Sequence, residues 1–425
     1  ASATATSINN VTFDAGTGSY TLNVTSTATA TSGNSTAAAV QMGKVLMGDD
    51  NDTLNISAQA AHAYGIKDGA NTSNQTAFSL VDLGNGDDSL TVNVTGGVEA
   101  YGVYKSTVTA GAGNDTVSIT AKSSGVNYAL DQATLTGGAG SDNITLGDSA
   151  SATGGNVLNS TIGLGAATGA ADTTGTSDIN TLTVYGTVDN SYIYGDAGTD
   201  KVTVNGAVTA DIIDTGLGDD SIAINNDVQS NSMIFSGEGN DTINITGAVH
   251  SSTIFGGGGD DKISAGAMDG YSTIYGGDGN DAVTISGTMS DYSKIEAGTG
   301  DDVITVNHLS SAYIYGDEGN DSITVGGADS SAYIYGGDGN DSITTGTVSQ
   351  YSSVFGGADD DKINVNGDLL YSGVQGDEGD DSITVTGALQ NSHVYGGAGD
   401  DIINVGDVYQ YTLVTGDAGD DVITY

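Results

Sequence analysis

The chain repeats itself about every twenty residues. The segment Tyr315-Gly316-Asp317-Glu318-Gly319-Asn320-Asp321-Ser322-Ile323-Thr324-Val325 recurs almost unchanged from Tyr335 to Thr345. Aligned on the last acid of each glycine-rich run, the copies fall at Asp200, Asp220, Asp241, Asp261, Asp281, Asp302, Asp321, Asp341, Asp361, Asp381, Asp401 and Asp421. The steps between them are 20, 21, 20, 20, 21 and 19, and then 20 throughout. Such a period is too short for a pair of helices, and no 3.6-residue apolar pattern accompanies it. It is the length of one turn of a β-solenoid.

The columns of the repeat predict which way side chains point. Two residues after the acid stands Ile or Val (Val202, Ile222, Ile243, through Ile423), and seven before it stands Ile or Val again (Ile193, Ile213, Ile234, through Val414). Polar residues alternate with them, which is the period-2 pattern of strands with one face inward. A third apolar residue, such as Val208, Met289, Leu309 or Leu389, fills a far corner. Nine before the acid the residue is small (Ser191, Ser252, Ser272, Ala312, Ala332), except at Asp211, which suggests a crowded place in a narrow core. The predicted fold is all-β, a right-handed parallel β-solenoid of about eighteen turns, ~85 Å long at ~4.8 Å per turn.

Residues 1–185 are less regular. Motif acids stand at Asp52, Asp88, Asp115 and Asp142, at steps of 36, 27 and 27, while the strands after Tyr20 and Asn180 lack the acid. This region reads as larger turns with loops, for instance Ser149 to Gly175, with the first ~45 residues as a cap. Residues 186–425 form the regular solenoid. The chain opens Ala1-Ser2-Ala3, as expected of a protein whose leader has been removed or of a fragment. It closes four residues past Asp421, which leads us to expect an open last turn that pairs with another subunit or a further domain.

Each regular turn carries Gly-x-x-Gly-[Asn/Asp]-Asp, or a close variant, before a strand. Glycines allow positive φ and expose carbonyls in a tight turn. Acids stacked one turn apart repel unless neutralised. A hard cation shared between turns resolves this, and calcium, which takes six to eight oxygens at about 2.3–2.6 Å in flexible geometry, fits better than magnesium. The formal charge sharpens the point: 54 acids face eight lysines and no arginine, for a net −46. That balance argues against nucleic acid or anionic lipid as partners. Absent cysteine excludes disulfides, thiol catalysis and cysteine zinc sites. No apolar run approaches the length of a membrane span. The four histidines, His62, His250, His308 and His393, lack paired metal-ligand spacing, and no Ser/His/Asp constellation is identifiable, so no enzyme activity is expected. Tyrosines recur six residues before the acid (Tyr194, Tyr275, Tyr315, Tyr335, Tyr395) and ten before it (Tyr271, Tyr292, Tyr351, Tyr371, Tyr411). They serve either cross-turn stacking or an outer surface for sugars or a partner subunit.

Gly276-Gly277-Asp278-Gly279-Asn280-Asp281-Ala282-Val283-Thr284 resembles the nonapeptide of RTX, or haemolysin-type, calcium-binding β-rolls, as do Gly336 to Thr344 and Gly396 to Asn404. The resemblance covers 195–425, with isolated copies over 48–145. It implies calcium as cofactor. The implied ligands are the twelve acids above with Asp52, Asp88, Asp115 and Asp142, and the turn glycines Gly276, Gly279, Gly316, Gly319, Gly336, Gly339, Gly396 and Gly399. One departure matters. The usual β-roll has two nonapeptides per turn, whereas here about eleven other residues follow each motif, which implies a single calcium row. Asp359 replaces the second turn glycine, and Asp196, Asp317, Asp377 and Asp417 replace an earlier one, as further ligands or as surface charge. With this composition the protein resembles RTX proteins of bacterial surface layers and extracellular matrices. That implies a secreted, self-assembling structural protein at the cell surface, folded by calcium, forming a homo-oligomer or lattice and touching cell-surface polysaccharide. The rival readings are an RTX adhesin and the RTX tail of a secreted enzyme or toxin. Ice binding is disfavoured, because the middle residue of the Gly-x-Gly turn varies from Ala197 and Leu217 to Glu238 and Thr299.

Overall fold

The computed structural model describes residues 2–28, 35–68, 78–149, 154–165 and 178–425. The protein divides into two compact units, Ala1–Asn226 and Asp227–Tyr425. In each, short strands pair in parallel with the equivalent strands of the turns before and after. The fold is a parallel β-solenoid, and the described residues contain no helix.

In the C-terminal unit a typical turn holds three strands, Ser322–Val325, Ala328–Asp329 and Tyr333–Asp338. Equivalent residues stack in register: Ile323, Ile343, Ile363, Ile383 and Ile403 form one column. Ile314, Ile334, Val354, Val374 and Val394 form the second. Leu309, Ala328, Val348, Leu369 and Leu389 form the corner column. All of them are buried. β-Branched residues suit these positions because their stiff side chains pack on a pleated surface. Each large one stabilises the fold by roughly 1.5–3 kcal/mol through burial. Along the strands, backbone N–H groups donate to the neighbouring turn, as Ser322 does to the Asp302 carbonyl at 2.8 Å.

The N-terminal unit uses the same registers with wider turns. Its inner column runs Leu22, Leu54, Leu90, Val117, Ile144, Leu182, Val202 and Ile222, all buried. Ser2–Ala5 pairs with Thr21–Thr27, and Thr12–Asp14 with Lys44–Leu46, so the first residues lie in these parallel registers. Much of the extra length is strand rather than loop: Thr53–Lys67 and Ser89–Tyr104 run 15 and 16 residues. The reason is that inward apolar residues continue past Ile56, with Ala58, Ala63 and Ile66 buried. Tyr64, Tyr101 and Tyr128 stack across these turns at 5.2 and 5.9 Å between ring centroids. Within the loop expected over Ser149 to Gly175, residues 150–153 and 166–175 lie outside the described residues.

Candidate metal centre

The turn before each acid is built by glycine. Gly337 and Gly339 take φ of 131° and 117°, and Gly277 and Gly279 take 124° and 123°, values that side chains rarely adopt. Gly319 and Gly399 do the same at 136° and 144°. A Cβ on Gly337 or Gly339 would strike the carbonyl of Asp317 or Gly319 in the adjacent turn, so the glycine backbones stack in direct contact. Asp317, Asp359, Asp377 and Asp417 hold the same left-handed geometry, at φ of 73–84°, without glycine. Asp317 and Asp417 are exposed, while Asp377 bonds the Gln375 amide at 2.7 Å.

The acid that closes the turn points inward. Its Oδ1 accepts the backbone N–H of the equivalent residue one turn earlier. Asp321 N–H donates to Asp341, Asp341 to Asp361, Asp361 to Asp381 and Asp381 to Asp401, each at 2.8 Å. The Asp401 N–H reaches the half-buried Asp421 at 3.1 Å. Asp241, Asp261, Asp281 and Asp302 donate likewise to Asp261, Asp281, Asp302 and Asp321. In the N-terminal unit the ladder runs from Tyr20 to Asp52, Asp88, Asp115, Asp142 and Asn180, at 2.6–2.9 Å. There Asp200 also donates to Asp220, at 2.7 Å.

The second oxygen is left over. Oδ2 of Asp52, Asp88, Asp115, Asp142, Asp261, Asp281, Asp302, Asp321, Asp341, Asp361, Asp381 and Asp401 is buried and has no hydrogen-bond partner. These residues are at most 2 % exposed. A buried carboxylate oxygen without a partner is costly, and native folds rarely keep one. Burial is the main force on these carboxyls. It lifts Asp361 to about 8, and Asp88, Asp142, Asp261, Asp302, Asp341 and Asp381 to about 7. It lifts Asp115, Asp281 and Asp321 to about 6. The ladder N–H pulls each back down in part, and acids of adjacent turns push several further up. Asp200 stands apart, because its Oδ2 accepts the Asp196 N–H at 2.8 Å.

The leftover oxygens face a small cradle. A Cβ on Gly316 would overlap Asp321 Oδ2 and the Gly336 carbonyl oxygen. The same holds at Gly336 with Asp341 and Gly356, at Gly356 with Asp361 and Gly376, at Gly376 with Asp381 and Gly396, and at Gly396 with Asp401 and Gly416. At Gly276 the pair is Asp281 and the Ala297 carbonyl. Each cradle thus brings a carboxylate oxygen of one turn against a carbonyl oxygen of the next. Among the described residues no three His, Cys, Asp or Glu side chains form a metal cage. A cation held here therefore draws on backbone carbonyls as well as carboxylates, the oxygen-only donor set that suits calcium. The residues fit that ion: its charge would satisfy Oδ2 and relieve the repulsion along the ladder.

Two further ladders go beyond what the motif acids predict. In the C-terminal unit the Asn or Asp before the ladder acid accepts, through Oδ1, the N–H of its counterpart one turn later. Asp260, Asn280, Asp301, Asn320 and Asn340 pass the bond along at 2.8–2.9 Å. The signal lies in the free exchange of Asn for Asp, since that position needs an acceptor oxygen rather than a charge. The small column nine before the acid is the third ladder. Ser272 Oγ accepts the Ser252 N–H at 3.3 Å, Ser352 accepts that of Ala332 at 3.1 Å, and Ser392 that of Ser372 at 3.3 Å. Asp211 fills this role with both oxygens, taking Ser191 N–H at 2.6 Å and Thr209 N–H at 2.8 Å. The tyrosine column six before the acid stacks across turns: Tyr315, Tyr335 and Phe355 lie 4.9 and 4.8 Å apart, with their ring planes nearly parallel.

Comparison with a family model agrees with this chemistry. The family model for RTX calcium-binding nonapeptide repeats matches four stretches, residues 183–206, 251–267, 267–284 and 375–407. No curated protein matches the sequence. Among solved structures, a hyperactive, Ca2+-dependent, β-helical antifreeze protein from an Antarctic bacterium is similar at 20 % identity. The match covers 86 % of this chain and 82 % of that one, with a TM-score of 0.39.

Proposed function

We propose that this RTX calcium-binding repeat protein is a secreted structural protein of a bacterial surface layer or extracellular matrix, folded and held rigid by a row of calcium ions. The observation that carries the reading is the ladder of buried carboxylates with a leftover oxygen, present in both units. A fold that buries so many acids depends on the ion at many turns rather than at one local site. Where calcium is scarce, repulsion among 54 acids keeps the protein open; where it is abundant, binding drives folding. The residues that would hold the ions are the ladder aspartates, through Oδ2, and the cradle carbonyls such as those of Gly336, Gly356 and Gly376. An assembled layer would bring copies of the protein into a lattice, with calcium as its requirement.

A second reading, an adhesin, is favoured by one feature. Tyr271, Tyr351 and Tyr411 are 73, 73 and 86 % exposed at corner positions with φ of 61–68°. Holding a bulky residue in that geometry costs energy, and little burial offsets it, although Tyr271 stacks on Tyr292 at 5.4 Å. A polysaccharide is a partner that such rings can stack on.

Negative-stain electron microscopy with and without millimolar calcium tests the structural reading. Ordered sheets or filaments that dissolve on chelation are expected. Particles that stay single at every calcium level, from a protein that binds a glycan array, would favour the adhesin instead.

A further inference from the structure

The register of the cradle separates turns that can take an ion from turns that cannot. In the C-terminal unit the residue five before the ladder acid is glycine at Gly256, Gly276, Gly316, Gly336, Gly356, Gly376, Gly396 and Gly416. The cradle exists because that residue has no side chain: at seven of these eight positions an added Cβ would overlap the acid's Oδ2 and the carbonyl of the following turn, and at Gly416 it would overlap Asp421. In the N-terminal unit the pairings align Asp14, Leu46, Asp82, Thr109, Thr136 and Gly163. The cradle residue follows each of them directly, giving Ala15, Met47, Leu83, Ala110, Gly137 and Leu164. Met47, Leu83 and Leu164 are fully buried. A side chain at this register does reach the lining oxygens, because Ser236 Oγ donates to the Gly256 carbonyl at 2.8 Å. The Leu164 turn differs a second time: its ladder position is Asn180, whose fully buried amide accepts the Asp142 N–H through Oδ1. That leaves an N–H2 group where other turns present an acceptor oxygen, and a donor cannot ligate a cation.

We infer that the residue five places before the ladder acid, or in register with that place, determines whether a turn holds an ion. The ions are then confined to glycine-floored cradles, and the turns of Asp52, Asp88 and Asn180 carry none. The inference rests on the calcium reading above. It divides the ladder aspartates into two kinds. All but Asp200, whose Oδ2 takes the Asp196 N–H instead, accept a backbone N–H through Oδ1, and of these only the ones facing a glycine also bind metal through Oδ2. In the turns without an ion, a thioether or an isobutyl group fills the space and apolar packing takes over the stabilising role.

The test counts calcium bound by the full-length protein at saturation, by equilibrium dialysis with elemental analysis. Asparagine keeps the Oδ1 acceptor and removes the second anionic oxygen. Asp341→Asn is expected to lose one or two ions and Asp88→Asn none. Gly336→Leu, which plugs a cradle without touching an acid, is expected to lose as many as Asp341→Asn. A folded Gly336→Leu protein with the full count would overturn the inference; should that variant fail to fold, the asparagine pair decides alone. A protein that binds calcium and loses as many ions through Asp88→Asn as through Asp341→Asn overturns this inference and leaves the calcium reading standing. A wild-type protein that binds no calcium overturns both.

Discussion

The two units solve one problem in different ways. Both stack parallel turns, and both run a ladder from aspartate Oδ1 to the N–H of the preceding turn. The N-terminal unit has turns of 20 to 38 residues, long bent strands, buried Met47 and Leu83 beside the ladder, and a tyrosine stack. The C-terminal unit has turns of 19 to 21 residues and glycine beside the ladder in all but two turns, at Ser236 and Ala297. A wider turn encloses more core and can rely on apolar area. A narrow turn has little area to bury, so its stability must come from elsewhere, and the charged cradle is the available source. If ions sit only over glycine-floored cradles, the turns that need them are mostly the short ones of the C-terminal unit.

Chelation is the strongest way to break the comparison. In excess chelator at pH 8 most of the far-UV β signal should vanish. Limited proteolysis should cut residues 227–425 well before residues 35–149. Equal protection of both units would erase the distinction drawn here.

Acid should partly replace the ion. The ladder carboxyls are raised in the ion-free fold, so the folded state binds more protons than the unfolded one. Its stability is then greatest below about pH 4 and declines as pH rises toward 7–8, through the values of Asp321, Asp341 and Asp361. In chelator, β structure lost at pH 8 should return at pH 5. Circular dichroism across that range checks it, and calcium should flatten the profile by keeping the carboxylates charged.

Point changes give smaller effects. Asp341→Ala removes the acceptor of the buried Asp321 N–H as well as the metal ligand, and in chemical denaturation should cost about 1–3 kcal/mol beyond Asp341→Asn. Tyr335→Ala breaks three ring contacts and should cost about 1 kcal/mol with an unchanged calcium count. Ser352→Ala should cost least, up to about 1 kcal/mol, because Ala312 and Ala332 already occupy the same column and leave the corner intact. A larger loss for Ser352→Ala than for Asp341→Ala would show that the corner, and not the acid edge, holds the turns together.

The period, the strands, the inward columns and the acid row were all legible in the sequence, because an in-register stack places the same residue in the same environment at every turn. Ile323 and Ile343 look alike in sequence because they sit on one another. The sequence also determined the ion's chemistry, since a buried row of acids with no arginine and few lysines has no protein cation to pair with. Only the tertiary structure left one carboxylate oxygen bonded and the other without a partner, made the serine column an acceptor ladder, and put Leu164 in the place of a cradle glycine. Leu164 stands sixteen residues before Asn180, so counting back five from the ladder position misses it, and only its pairing reveals it. The reason is physical. The donor and acceptor of each ladder bond belong to different turns, 19 to 38 residues apart in the sequence. A sequence read along its length fixes what each turn offers, and stacking decides what each offer meets.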